Sequence, residues 1–368
     1  MGVSTPALPS VEYDDINPGI GTLNKEPKSK GTSKRGIHFN PGDVLFGKLR
    51  PYLKNWLFAC FEGVAVGDFW VLTSSKIDHG FTYSLIQAPE FQYIANLSSG
   101  SKMPRSDWGL VSNARTFIPT NLSEQKSISS VLFGLDTAIT LHEEKKHQLE
   151  RLKSALLQKM FADESGYPVV RFEGFSDEWE QCKLGDVADR VTTKNKGMVS
   201  ELPLTISAQD GLISQDEFFN KKVASKDLSS YLLLHHGDFA YNKSYSNGYP
   251  FGTIKRLEKY PQGVVSSLYI AFKPNSSISS DFMAQYYESN NWHKEIYKCA
   301  AEGARNHGLL NIPPSDFFAT NLNIPITKSE QLKIGRLLNA VDHTFTLHDQ
   351  KLSLLKRVKQ TLLQKMFI

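Results

Sequence analysis

Between residues 122 and 161 apolar positions recur at alternating spacings of three and four: Ile128, Leu132, Leu135 and Ile139, then Leu149, Leu152, Leu156 and Met160. The same stripe returns near the end of the chain in Ile334, Leu338, Val341, Phe345, Leu352, Leu355, Leu362 and Met366. Alternating threes and fours is the seam of a paired helix. No proline interrupts either stretch, from Pro119 to Pro168 or beyond Thr327. A short polar residue three positions ahead of a glutamate, Asn121 with Glu124 and Thr327 with Glu330, marks each start as a capping box in which the carboxylate reaches back. A helix of about 40 residues runs roughly 60 Å, more than one domain core needs, so each stripe requires a long partner. The comparable stripe is its own copy. The pattern predicts two long helices, 120–161 and 327–368, pairing antiparallel with one globular region at each end, rather than each helix packing on its own domain.

The two helices are copies. Laying the chain on itself with a shift of 206 gives 19 identities over the 39 ungapped positions 123–161, ending in LLQKMF at 156–161 and again at 362–367. A period near 200 is too long for a solenoid repeat, so the repeated unit is a domain plus a helix. Upstream, Gly42-Asp43-Val44-Leu45-Phe46-Gly47-Lys48 answers Gly237-Asp238-Phe239-Ala240-Tyr241-Asn242-Lys243, and Gly63-Val64-Ala65 answers Gly263-Val264-Val265. Each is followed by a strand-like run, FWVL at 69–72 and LYIAF at 268–272, then by Ser106-Asp107-Trp108 or Ser315-Asp316-Phe317. These strand and turn signals predict two homologous α/β (α+β) domains with mixed sheets, 1–119 and 162–326. The residues between the landmarks differ almost completely, as expected of one scaffold carrying two different sites.

Composition narrows the class. The 368 residues are 40% hydrophobic and 22% charged, ordinary for globular domains. There is no run of 18 apolar residues, and the N-terminus has neither a basic nor an apolar stretch, so the expectation is a cytoplasmic protein without a membrane. Cys60, Cys182 and Cys299 stand far apart with no metal-ligand spacing, which predicts reduced thiols and no metal. The segment HEEKKH at 142–147 has its histidines five apart, not on one helix face as in HExxH, and the second copy reads HDQKL. His142, Lys146 and His348 are expected to be solvated coiled-coil positions.

The loops point to a polyanion. The net charge is +4, and basic residues gather near equivalent landmarks: Lys25, Lys28, Lys30, Lys34 and Arg35, then Lys48, Arg50 and Lys54 among Pro51, Tyr52 and Trp56. The second domain offers Lys221, Lys222, Lys226, Lys243, Lys255 and Arg256, with Tyr245, Asn247 and Tyr249 close by. A further pair of loops brings Lys102 and Arg105, or Arg305, Asn306 and His307. Lysine and arginine hold phosphates, while Arg, Asn, Gln and Ser can address base edges in the major groove. The expected DNA-binding set is thus Lys48, Arg50, Lys54, Lys102, Arg105, Lys243, Tyr245, Asn247, Lys255, Arg256, Arg305, Asn306 and His307. Any one of them alone is more simply a solvated charge; their concentration carries the expectation. Phosphate-binding and dinucleotide glycine motifs, the Asp/Asn-Pro-Pro-aromatic motif of an amino-methyltransferase, and any catalytic Ser, Cys or His set are missing. The chain is expected to bind and position, not to catalyse.

With domain, LLQKMF helix, RFEGFSDEWEQCKLGDV at 171–187, domain and LLQKMF helix in that order, the sequence resembles the specificity subunits of type I restriction-modification systems over nearly its whole length. The resemblance implies two target recognition domains reading the halves of a bipartite, asymmetric double-stranded DNA site, with the helices as a ruler between them. It implies no catalytic residues and no cofactor in this chain; S-adenosylmethionine is expected on two partner modification subunits, alongside restriction subunits that cleave. The alternative is a DNA-binding scaffold or regulator without methyltransferase partners, which co-purification would distinguish. One departure stands out: 41 residues precede Gly42, whereas 75 separate Phe161 from Gly237, and the first half has no counterpart of WEQCKLGDV. A first domain less stable or weaker in recognition than the second is therefore expected.

Overall fold

The computed structural model describes residues 1–5, 7–26, 33–97, 102–221, 225, 227–244, 248–300 and 310–367. The chain is α/β (α+β), with two long helices, Leu122–Lys159 and Lys328–Met366. It divides into two compact units, Met1–Lys146 with Leu347–Ile368, and His147–Thr346. Both boundaries fall inside the long helices, so each unit contains part of each.

In the first unit the strand Val44–Gly47 pairs antiparallel on one side with Trp56–Phe58 and on the other with Phe69–Leu72. A second sheet runs Gly2–Val3, Arg35–Phe39, Gly63–Ala65, Ser10–Val11, with the last pair parallel. In the second unit Phe239–Asn242 lies between Thr253–Arg256 and Ile270–Pro274 in the same way, and Leu232–His235 pairs with Gln262–Val265. The Gly-Asp landmark explains this likeness. Gly42 and Gly237 both have φ of 93°, a left-handed value open to glycine. In each turn the aspartate accepts a 2.8 Å bond from the backbone N–H three residues earlier, Asn40 to Asp43 and His235 to Asp238. The turn thereby aims the next strand into the sheet, where Phe46 and Tyr241 occupy matching buried positions.

The helix starts confirm the caps but redirect the glutamates. Asn121 Oδ1 accepts the Ser123 N–H at 2.8 Å, and Thr327 Oγ1 accepts the Glu330 N–H at 3.4 Å. Neither carboxylate reaches back: Glu124 is exposed, and Glu330, 1% exposed, is held by the Arg171 guanidinium at 2.7 and 2.9 Å and the Trp179 indole N–H at 3.4 Å. A charged, bidentate partner outcompetes a single backbone N–H. The glutamines that follow act as twin latches. Gln125 accepts the Asp78 N–H at 2.8 Å and donates to the Pro119 carbonyl at 2.7 Å; Gln331 accepts from Ser279 at 2.7 Å and donates to Pro325 at 3.0 Å. Each pins a helix start to the head of a shorter helix, His79–Leu85 or Ser280–Glu288.

Within the first unit the two long helices pair antiparallel, Leu132 packing with Leu363 and Phe367 over Phe81. Asp136 meets Lys359 at 2.5 Å, Glu143 meets Lys356 at 2.7 Å, and Lys146 meets Asp349 at 2.5 Å. The second unit repeats the first of these pairs as Asp342 with Lys153 at 2.6 Å. Contrary to the expectation of solvated positions, His142 and His348 face each other with Nδ1 atoms 2.8 Å apart. An imidazole with one neutral partner can donate to it, so the polar break in the seam is satisfied within the helix pair. Leu152 departs from the stripe and is exposed.

The second unit's core joins Phe239, Tyr241, Phe272, Phe282 and Phe317 to Met160, Ile334 and Leu338 of the long helices. At its margin His293 packs against Phe251, ring centroids 4.9 Å apart, and burial holds its pKa below the ordinary 6.5. A base whose pKa is lowered on folding contributes stability above its unfolded pKa and loses it as the pH falls through 6.5 toward the folded value. Urea midpoints followed between pH 7.5 and about 5 should therefore fall less steeply for His293→Gln than for the parent; equal slopes would remove His293 from the acid response.

Candidate nucleic-acid interface

In the first unit two predicted loops are laid side by side. Lys48 stands at the end of the strand Val44–Gly47. Its N–H donates to the Asp68 carbonyl at 2.8 Å, and its carbonyl accepts the Ser106 N–H at 2.8 Å. Leu49 bridges to Arg105, and the Arg50 N–H donates to Pro104 at 2.7 Å. The Asp68 carboxylate binds Arg105 at 3.0 Å, with Lys48 at 3.9 Å. Two of the predicted bases thus share one acid, which fixes their spacing and reduces their net charge.

The rest of this loop is shaped by strain. Arg50 (φ 49°) and Lys54 (φ 58°) are both left-handed, at a cost of roughly 1–2 kcal/mol each for an L-residue. They flank the 3-10 turn Pro51–Leu53, held by bonds from Leu53 N–H to Arg50 and from Lys54 N–H to Pro51, each 2.9 Å. Pro51 is buried beneath, while Tyr52, Leu53 and Lys54 point outward. Among the described residues Arg50, Lys54 and Lys102 have no ion-pair partner, and the Arg50 Nε is buried without a hydrogen bond. Unpaired cations around an exposed tyrosine can hold a phosphate backbone and offer a ring to a sugar or base.

The second unit repeats the juxtaposition. Lys243 follows the strand Phe239–Asn242; its carbonyl accepts the Leu310 N–H at 3.0 Å, and its ammonium donates to the Ile312 carbonyl at 3.1 Å. Desolvation holds the Lys243 pKa below its ordinary value. Tyr245, Asn247, Arg305, Asn306 and His307 lie outside the described residues. Lys255 and Arg256 turn to other partners: Lys255 meets Glu288 at 2.5 Å, and Arg256 meets Asp281 at 2.9 Å and Glu258 at 2.8 Å. Both side chains are largely covered. They clamp the strand Thr253–Arg256 to the helix Ser280–Glu288, because that helix presents acids at both ends. Sequence reasoning missed Asp68; its only signal is its place just before the strand Phe69–Leu72.

The Ser-Asp-aromatic landmarks also differ in role. Asp107 caps the helix Trp108–Asn113 by accepting the Leu110 N–H at 3.0 Å, whereas Asp316 lies inside the helix Pro314–Phe318. Among the described residues no three His, Cys, Asp or Glu side chains are grouped to hold a metal, and no helix is long and apolar enough to cross a membrane. The cysteines Cys60, Cys182 and Cys299 are free.

No family model matches the chain. Solved structures do. A type I restriction-modification system S subunit from M. genitalium is 16% identical, with a TM-score of 0.58 over 99% of this chain and 90% of that one. The HsdS subunit from Thermoanaerobacter tengcongensis is 17% identical, with a TM-score of 0.44 over 97% and 90%. A chain from a structure of the complex assembly and conformational transition of the type I R-M system is 16% identical, with a TM-score of 0.49 over 97% and 91%. At such low identity the likeness speaks for architecture, and it extends from one end of the chain to the other: the protein has the fold of a type I restriction-modification S subunit.

Proposed function

We propose that the chain is the DNA sequence-specificity subunit of a type I restriction-modification complex. The observation that carries this reading is the fold it shares, over 99% of its length, with an S subunit of such a system. The paired loops give the fold a use. Each unit presents one strand-end loop braced by a second, on an identical Gly-Asp frame but with different side chains, so each reads a different half of a bipartite, asymmetric double-stranded DNA target. Arg50, Lys54 and Lys102 serve the phosphates of the first half, and the segments around Lys243 and Arg305 serve the second. The chain itself catalyses nothing and takes no cofactor. It scaffolds two modification subunits, which hold S-adenosylmethionine and methylate a base drawn out of the stack, together with restriction subunits, in the cytoplasm.

Mapping methylated adenine across the genome of cells carrying this chain with a modification subunit, against cells carrying the modification subunit alone, tests the reading. A new two-part motif and a 1:2 complex support it. An assembled complex without new methylation overturns the specificity role, and failure to capture a modification subunit favours a scaffold or regulator. Within the interface, Lys54→Ala and Lys102→Ala should weaken binding to all sequences alike, each lowering the salt slope by about 0.9. Arg305→Ala should relax the second half-site by about 1–3 kcal/mol. Lys255→Ala, which removes an internal clamp, should leave the salt slope unchanged; a fall equal to that of Lys54→Ala would place Lys255 on the phosphates.

A further inference from the structure

Gly47 stands where the second unit has Asn242, and the two units hold the amide that follows the loop lysine in different ways. In the second unit the asparagine does it locally, its Oδ1 accepting the Ser244 N–H at 3.1 Å. Gly47 has no side chain to offer. In the first unit the matching Leu49 N–H donates instead to the Tyr13 hydroxyl at 3.0 Å, 36 residues away in the chain. That hydroxyl donates in turn to the Asp68 carbonyl at 2.7 Å, which also accepts the Lys48 N–H at 2.8 Å. A carbonyl oxygen has two lone pairs, so both are used, and two successive loop amides hang from one acceptor. The glycine also makes room, since a Cβ there would lie 3.0 Å from Cε1 of Tyr13 and 2.7 Å from the Asn55 carbonyl oxygen. Tyr13 opens the 3-10 turn Tyr13–Asp15, in which the Asp15 carboxylate accepts the Glu12 N–H at 2.9 Å. Its ring packs against the buried Phe69, centroids 4.7 Å apart. Burial pushes its pKa up to about 12, so the hydroxyl keeps the proton it donates at neutral pH.

We propose, resting on the specificity-subunit reading above, that Tyr13 is a positioning residue for DNA recognition by the first unit, its hydroxyl doing for Leu49 what the Asn242 side chain does for Ser244. Leu49 lies between Lys48 and Arg50, two bases of the expected interface, and Arg50 is the left-handed residue at which the turn Pro51–Leu53 begins. Such a strained residue persists only where its surroundings over-determine it. With the Leu49 N–H on Tyr13 and the Arg50 N–H on Pro104 at 2.7 Å, the peptide planes on both sides of Leu49 are fixed. The point from which the Arg50 side chain departs is fixed with them. Loss of the hydroxyl leaves every cation in place and loosens the frame that spaces them. Phosphate contacts set the register of a protein on the duplex, so a loosened frame costs discrimination rather than charge attraction.

The test uses the full chain in its complex with the modification subunit, and duplexes carrying the two-part motif that the methylation map returns, with each half intact or scrambled. Tyr13→Phe keeps the ring and loses only the hydroxyl. Amide exchange at Leu49 should quicken about tenfold or more, and preference for the intact first half over its scrambled form should fall about tenfold, as when a part-buried amide loses its acceptor. Preference at the second half and the slope of affinity against salt should match the parent, because no cation is removed. Asn242→Ala should give the mirror pattern, with loss at the second half alone. Three results overturn the proposal: unchanged exchange at Leu49, equal loss of preference at both halves in Tyr13→Phe, or faster exchange with first-half preference intact, which leaves the hydroxyl a purely structural role. A parent complex with no preference for either half overturns the specificity reading and the proposal with it, and is told apart because it appears without any substitution.

Discussion

Arg171→Ala lowers the stability of the second unit by about 3–5 kcal/mol, the loss expected when one partner of a buried ion pair is removed. Glu330 is almost completely buried, and the guanidinium provides both of its short bonds. Without it the carboxylate retains the Trp179 indole at 3.4 Å, too little to offset its desolvation. The damage should be local first. Hydrogen exchange across the strand pair Glu180–Lys183 and Asn321–Ile324 should quicken before the rest of the unit opens, because that pair hangs between Arg171 and the start of the second long helix. Two companions separate charge from packing. Glu330→Met added to Arg171→Ala should recover much of the loss by removing the orphaned carboxylate, while Glu124→Ala, at the exposed twin, should stay within about 0.5 kcal/mol of the parent. Equal losses from Arg171→Ala and Glu124→Ala in urea titrations would refute the special role of the buried pair.

Gln331→Leu and Gln125→Leu come next, each costing roughly 2–4 kcal/mol. Either change orphans two backbone groups at once, the Ser279 N–H and Pro325 carbonyl in one unit and the Asp78 N–H and Pro119 carbonyl in the other; each buried orphan costs about 1–3 kcal/mol. Leucine is close in size, so lost packing contributes little. Gln331→Glu keeps the acceptor and loses the donor, and it should fall between parent and Gln331→Leu in thermal melts. Because the two latches are built alike, their leucine variants should cost similar amounts; a difference of several-fold would show that one helix start is held mainly by other contacts.

Much of this architecture was legible because it is written in local or periodic terms. A seam of threes and fours needs only the chain's own spacing, and it located both helices within two residues of their observed starts. The Gly-Asp pair was readable for a similar reason: a positive φ and a carboxylate three residues from the N–H it caps are properties of one turn. Partners distant in sequence were not readable. Lys255 and Arg256 carry the same composition signal as Lys54, yet acids 25 to 33 residues away claim them. Likewise Glu330 fits a capping box in sequence, and an arginine 159 residues earlier takes it away. The histidines were misread because each was weighed as one polar residue in a stripe, whereas 206 residues separate the pair that satisfies them. Charge type is local information, but charge availability is set by the fold.

The matched turns at Gly42 and Gly237 have an evolutionary consequence. Each delivers its strand, and then a lysine, to a bond with the returning backbone, Ser106 to Lys48 or Leu310 to Lys243. The span between lysine and returning segment thus has standard ends, and it carries both neighbours of the central strand, Trp56–Phe58 and Phe69–Leu72 in one unit and Thr253–Arg256 and Ile270–Pro274 in the other. A recombination event with its ends at these bonds moves packed strands together with the loops between them. The two halves of the gene thereby diversify by exchange of whole framed units, while single loops change residue by residue.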